Sequence, residues 1–207
     1  DGETSSPPEG PDGYVVAALG DSITAGSPLW DPDPAIRERI GPALDERSQF
    51  EYWAARSDGS IEFRNCGVFG ERTDQIAMRL DDCAAAADAL IVQGGINDIA
   101  QGRPVADAAT ELRAMVRAGL DLGIPVAVAD VLPWNNGHPF ADRPIADLNR
   151  EIERIGREED VPVLPFHDTL EDPRSPGTMS PGYTDDGDHP SIEGYRRIAD
   201  RALDGFP

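Results

Sequence analysis

Ser22 lies in Gly20-Asp21-Ser22-Ile23-Thr24-Ala25-Gly26, directly after an apolar β-rich run and at the start of a short helical pattern. Glycine allows a sharp bend there, and a serine at a helix start exposes both its hydroxyl and a backbone N–H that has no acceptor inside the helix. Such a serine could merely cap the helix. It could also be a nucleophile, provided that a base takes its proton. A candidate base lies far along the chain, in Asp185-Asp186-Gly187-Asp188-His189-Pro190. Asp186 precedes His189 by three residues, so a turn can fold the carboxylate back onto the imidazole, fixing its tautomer and stabilising the imidazolium. Asp185 and Asp188 read as solvated acids of the same loop.

Two more glycine-bearing turns follow expected strands. The first is Asn65-Cys66-Gly67-Val68-Phe69-Gly70-Glu71-Arg72-Thr73, where a glycine lets a backbone N–H approach a ligand with no Cβ in the way. The second is Gly94-Gly95-Ile96-Asn97-Asp98, which sets the Asn97 amide at the end of its run. One such turn means little, because turns need glycines anyway. Three at the ends of successive runs point to one shared edge.

The elements that must position these residues alternate between two patterns. Strands are expected at Tyr14–Leu19, Ile61–Asn65, Ala89–Gln93, Pro125–Val131 and Val161–Pro165, and helices at about 73–87, 104–122, 142–159 and 191–204. Continuous apolar runs such as Ala89-Leu90-Ile91-Val92 are what strands covered on both faces look like. Alternation without hairpin signals implies an α/β domain, with a parallel sheet and helices on both faces. In such sheets the working residues collect beyond the carboxyl ends of the strands, where all of these turns fall.

Gly-Asp-Ser-Ile at Ser22, the turn ending at Gly70, Gly-Gly-Ile-Asn-Asp and Asp-Gly-Asp-His together resemble the four blocks of the SGNH, or GDSL-type, serine hydrolases, in that family's order and over residues 20 to 189. The resemblance implies a three-layer α/β/α sandwich with a five-stranded parallel sheet in the flavodoxin-like order 2-1-3-4-5. It implies a carboxylic ester hydrolase working through an acyl-enzyme. Ser22 would be the nucleophile, Asp186 and His189 would complete the triad, and Ser22, Gly70 and Asn97 would form the oxyanion hole. Within that family the sequence leaves a short-chain esterase beside a carbohydrate O-deacetylase, a lysophospholipase or a thioesterase. A binding protein of the same fold is the non-enzymatic alternative. The turn at Ser22 departs from the G-x-S-x-G elbow of α/β-hydrolases.

Trp30, Trp134 and Phe140 sit in loops near the active edge and are candidates for substrate contact. Short acyl groups are expected, because the loops are polar and proline-rich and supply no long apolar lid. His138 and His167 also follow strands, but the three histidines show no zinc spacing, and no phosphate or dinucleotide loop is present, so no metal or organic cofactor is expected.

The chain carries 39 acidic and 18 basic residues, all 18 of them Arg, for a net charge of −21. Nucleic acid is therefore an unsuitable partner, and a small-molecule or saccharide ester is the expected one. Coding bias explains Arg in place of Lys but not the acidity, which fits a salt-rich habitat. No apolar run is long enough to span a membrane. Residues 1–13 read as a disordered Pro, Gly, Ser and acid-rich leader to a single domain over 14–207. They could be a spacer left after signal removal, so the reading leans to a secreted or cell-surface protein, with a cytoplasmic one as the alternative. Cys66 and Cys83 are compatible with a disulfide or with two buried thiols.

Overall fold

The computed structural model describes residues 13–204 and Phe206. The leader expected at 1–13 therefore lies outside the described residues except for Gly13. Five strands, β1 (Tyr14–Gly20), β2 (Ile61–Gly67), β3 (Ala89–Val92), β4 (Val126–Ala129) and β5 (Val163–Leu164), form a parallel sheet in the order β2-β1-β3-β4-β5. This is the expected order, and every expected strand appears.

The near-continuous apolar composition of the inner strands follows from their having no solvent face. Ala17, Leu19, Leu90, Val92, Val126 and Val128 point to one side, where Leu112, Met115 and Val116 of helix Val105–Asp121 and Leu148, Ile152 and Ile155 of helix Asp142–Glu159 cover them. Val16, Ala18, Ala89, Ile91, Ala127 and Ala129 point to the other, under Phe50 of helix Phe50–Ser57, Phe166 of helix Phe166–Leu170, and Tyr195 and Ile198 of helix Ile192–Arg201. Burying side chains on both faces contributes about 25 cal/mol per Å² of apolar area, so these strands have no tolerance for a polar face. Arg113 and Arg117 tie the first pair of helices together by pairing with Glu159 at 2.8 Å each.

The structure departs from expectation in several of its helices and in one added strand pair. The helix expected at 73–87 is two short helices, Thr73–Ala77 and Leu80–Ala84, because the chain turns at Met78 and Arg79 and the Arg79 guanidinium faces back toward the strand ends. Helices Pro34–Ile40, Phe50–Ser57, Ile96–Ala100 and Phe166–Leu170 were not expected, and a small antiparallel pair, β6 (Glu171–Asp172) with β7 (Ser175–Met179), follows β5. Cys66, at the end of β2, is disulfide-bonded to Cys83 with their Cα atoms 6.0 Å apart. Closing a loop of this length typically stabilises by about 3 kcal/mol. It also holds helix Leu80–Ala84 against the strand end from which the Gly70 turn departs. No helix among the described residues is long and apolar enough to cross a membrane.

Candidate active site

Sheet order explains how residues far apart in sequence meet. Because β1 lies between β2 and β3, the turn bearing Ser22 lies between the turn bearing Gly70 and the one bearing Asn97.

Ser22 opens helix Ser22–Ala25 and is 5% exposed. Asp21 caps this helix, its Oδ1 accepting the Ile23 N–H at 2.9 Å, which satisfies one otherwise unpaired donor and orients the turn. Asp21 is wholly buried, and burial pushes its carboxyl up to about 6, although bonds from the Ile23 backbone and Gln93 oppose the shift. Gln93, at the end of β3, accepts the Asp21 N–H at 3.2 Å and the Thr24 hydroxyl at 2.8 Å, so the neighbouring strand braces the turn. On the other side, Asn65 donates from Nδ2 to the Thr24 carbonyl at 2.7 Å. Gly67 packs so closely on this helix that a Cβ there would collide with the Ala25 backbone.

His189 is carried by the loop before helix Ile192–Arg201, and its Nε2 lies 3.1 Å from Ser22 Oγ. Asp186 Oδ2 lies 2.7 Å from His189 Nδ1, while its Oδ1 accepts the N–H groups of Asp188 and His189, each at 2.8 Å. Partial burial alone would raise the Asp186 carboxyl, but the bonds from the His189 ring and from the two backbone N–H groups outweigh it and hold the carboxyl below its usual value. Asp186 is thus an anion facing the imidazole. With the carboxylate accepting from Nδ1–H, Nε2 is left as an acceptor for the serine proton.

Two further connections fix this loop. Ser191 caps helix Ile192–Arg201, accepting the Gly194 N–H at 3.2 Å, and the Tyr195 hydroxyl donates to the Ser27 carbonyl at 3.0 Å, joining that helix to the chain just beyond Ser22. From the loop after β4, Trp134 Nε1 donates to Asp188 Oδ1 at 2.6 Å, and Asn136 Nδ2 donates to the same oxygen and to the Asp186 carbonyl at 2.9 Å each. Asp188 is therefore not the solvated bystander that its acidic context suggested. It is the acceptor that locks the Trp134 loop to the His189 loop. Asp185 forms no such bond among the described residues and is exposed.

Gly70 has φ +79°, a left-handed conformation that favours glycine, and its carbonyl accepts Gln101 Nε2 at 3.2 Å. Asn97 lies in helix Ile96–Ala100 and donates from Nδ2 to the Glu71 carbonyl at 3.0 Å, which ties the two flanking turns together and leaves its second amide hydrogen free of that bond. Beside it, the buried Asp98 accepts from the Thr73 N–H and hydroxyl and pairs with Arg103 at 2.7 Å, anchoring helix Ile96–Ala100 to helix Thr73–Ala77.

Ser22, His189, Asn97, Asp188 and Trp134 line a cleft of about 180 Å³, with Ile23, Phe69, Ile96 and Ala100 as its apolar wall. Phe69 stands 5.8 Å from the His189 ring and is 61% exposed. It was not singled out from sequence, although its place beside Gly70 in the turn was the available signal. Of the three aromatic candidates, Trp134 lines the cleft and Phe140 packs edge-on against it at 5.6 Å. Trp30 is not in the cleft lining and lies under the Arg37 guanidinium instead. His138 pairs with Asp142 on the surface. His167 shares with Asp168 and Glu171 the one group, among the described residues, whose possible metal-ligand atoms lie within 4.8 Å of one another. None of the three lines the Ser22 cleft, Asp168 is solvent-exposed, and Glu171 already accepts the Gly177 N–H.

Comparison with solved structures gives the same architecture at low sequence identity. A member of the lipolytic G-D-S-L family from Veillonella parvula DSM 2008 superposes with a TM-score of 0.74 at 20% identity, covering 93% of this chain and 97% of that one. A GDSL-like lipase from Bacteroides thetaiotaomicron VPI-5482 gives 0.71 at 20% identity, over 91% and 85%. The lipase/acylhydrolase of Enterococcus faecalis gives 0.69 at 19% identity, over 90% and 92%. No curated protein matches the chain in sequence. Residues 18–197 match the model of the GDSL-like Lipase/Acylhydrolase family, a span that takes in the Ser22, Gly70, Asn97 and His189 turns, and the chain belongs to that family.

Proposed function

We propose that the protein is a serine esterase that hydrolyses small acyl esters, acetyl to about butyryl, through an acyl-enzyme on Ser22. The observation that carries this reading is the relay from Ser22 Oγ to His189 Nε2 at 3.1 Å and from His189 Nδ1 to Asp186 Oδ2 at 2.7 Å. As Oγ bonds to the ester carbonyl carbon, its proton passes to Nε2, and Asp186 stabilises the imidazolium. The carbonyl oxygen becomes an oxyanion that accepts from the Ser22 N–H, the Gly70 N–H and Asn97 Nδ2. Collapse of the tetrahedral intermediate breaks the ester C–O bond, and His189 gives its proton to the leaving alcohol. Water then repeats the sequence on the acyl-enzyme, giving the acid and restoring Ser22. None of these steps calls on a metal or organic cofactor.

Cleft size supports the small-acyl preference. About 180 Å³ is little beside the 300–1,000 Å³ of sites that enclose drug-sized ligands, and the wall of Ile23, Phe69, Ile96, Ala100 and Trp134 is apolar but short. The neighbours described as lipases and acylhydrolases support the ester class without fixing chain length. A series of p-nitrophenyl esters tests the reading, with kcat/KM expected to peak at acetyl to butyryl and fall thereafter. Values rising steadily to the dodecanoyl ester would replace it with a lysophospholipase or thioesterase, and activity confined to acetylated sugars would replace it with an O-deacetylase.

A further inference from the structure

Arg79 makes four hydrogen bonds from one guanidinium to three separate chain segments. Its NH1 donates to the Cys66 carbonyl at 2.6 Å, its NH2 to the Gly20 carbonyl at 3.0 Å, and its Nε and NH2 to Glu71 Oε2 at 2.9 and 2.7 Å. Gly20 ends β1 two residues before Ser22, Cys66 lies at the end of β2, and Glu71 follows Gly70. The Glu71 carbonyl in turn accepts Asn97 Nδ2 at 3.0 Å. Both partners are largely shielded, with side chains 27% and 19% exposed, so the pair is held in place more firmly than a surface ion pair would be. The planar fork of arginine suits this arrangement, since a lysine ammonium cannot address three acceptors in fixed directions.

We propose that Arg79 is a positioning residue. It fixes the spacing between the Ser22 turn and the Gly70–Glu71 turn, and through the Glu71 carbonyl it holds the Asn97 amide toward the cleft. The Cys66–Cys83 bond fastens the same region from behind, because Arg79 immediately precedes helix Leu80–Ala84. Arg79 itself does not line the cleft, so its effect falls on transition-state geometry and not on substrate affinity. The inference rests on the reading of Asn97 as an oxyanion donor.

The test is a double-mutant cycle, with kcat and KM measured on a short p-nitrophenyl ester for Arg79→Met and Asn97→Ala, singly and together, and with melting followed in parallel. Arg79→Met is expected to lower kcat by about 10–10²-fold with KM within about twofold, since misplacement by about 1 Å can cost as much. Arg79→Lys should recover part of the loss. In the Asn97→Ala background, Arg79→Met should cost clearly less than in the wild type, because one of the groups it positions is gone. Equal losses in both backgrounds, or a lowered melting temperature with kcat unchanged, would overturn the proposal while leaving Asn97 in its role. An unchanged kcat for Asn97→Ala alone would overturn the oxyanion reading itself. Should Arg79→Met fail to fold, Glu71→Gln keeps the bonds to Gly20 and Cys66. It should give a smaller kcat loss with the same non-additivity, and a wild-type kcat would refute the proposal.

Discussion

Replacing Asp186 by Asn removes one negative charge with little change of shape. The Asn side chain is nearly isosteric, and its oxygen can still accept the backbone N–H groups of Asp188 and His189 that hold the loop. Two things change at the ring. The imidazolium formed in the transition state loses an anion now 2.7 Å from Nδ1, in a setting where His189 is only 12% exposed. With charge centres roughly 4 Å apart and an effective dielectric of about 20, that attraction amounts to about 4 kcal/mol, or about three decades in rate. In addition, an amide nitrogen facing Nδ1 would donate to it and place the ring proton on Nε2, where it opposes acceptance from Ser22, so the loss should reach about 10³–10⁴ in kcat. Steady-state hydrolysis of p-nitrophenyl acetate at pH 7–8 measures it, with Asp185→Asn as the matched control, expected to stay within about twofold. An Asp186→Asn enzyme within about tenfold of wild type would show that His189 works without its carboxylate.

Two further outcomes follow from buried and surface charge. Glu51 is buried, its two carboxylate oxygens have no hydrogen-bond partner among the described residues, and burial holds its carboxyl well above the usual range. A raised folded-state value contributes stability at low pH that is lost as pH rises above the unfolded value of about 4.3, so the melting temperature of Glu51→Gln relative to wild type should climb from pH 4 to pH 8. A difference independent of pH would show that Glu51 has no raised value. With net charge −21, self-repulsion should ease as the Debye length falls from about 30 Å at 0.01 M salt to about 3 Å at 1 M, and the melting temperature should rise over that range in NaCl. Screening also weakens ion pairs such as Arg72–Asp74, but exposed pairs contribute only about 0–1 kcal/mol each, so repulsion decides the sign. A flat or falling curve would contradict the salt-adapted reading.

The inner strands β1, β3 and β4 were legible because they are apolar and almost wholly buried, with no polar positions to blur them. Ala89-Leu90-Ile91-Val92 has one reading, and it is β3. Ser22 and the Asp186–His189 spacing were legible because their chemistry is local: a turn after a strand, and a carboxylate within reach of a ring three residues on. Helix Pro34–Ile40 was not legible because it is only two turns long and buries none of its residues, leaving Ile36 and Ile40 as its only large apolar pair. The break at Met78 and Arg79 is set by guanidinium bonds to two strand ends, which no local pattern encodes. Asp188 was misread for the same reason. Its partners, Trp134 and Asn136, lie more than 50 residues away, and one aspartate in an acidic loop looks like any other.

Passage of the acyl group through Ser22 can be observed by intact-protein mass spectrometry after rapid acid quench of a p-nitrophenyl acetate reaction. One acetyl per chain is predicted, mapped by proteolysis to the peptide containing Ser22. It should be absent from Ser22→Ala, whose turnover should fall by about 10⁴-fold or more while its melting temperature stays near that of wild type. An acetyl found on another residue, or a Ser22→Ala enzyme that keeps a sizeable fraction of its turnover, would show that Ser22 is not the nucleophile.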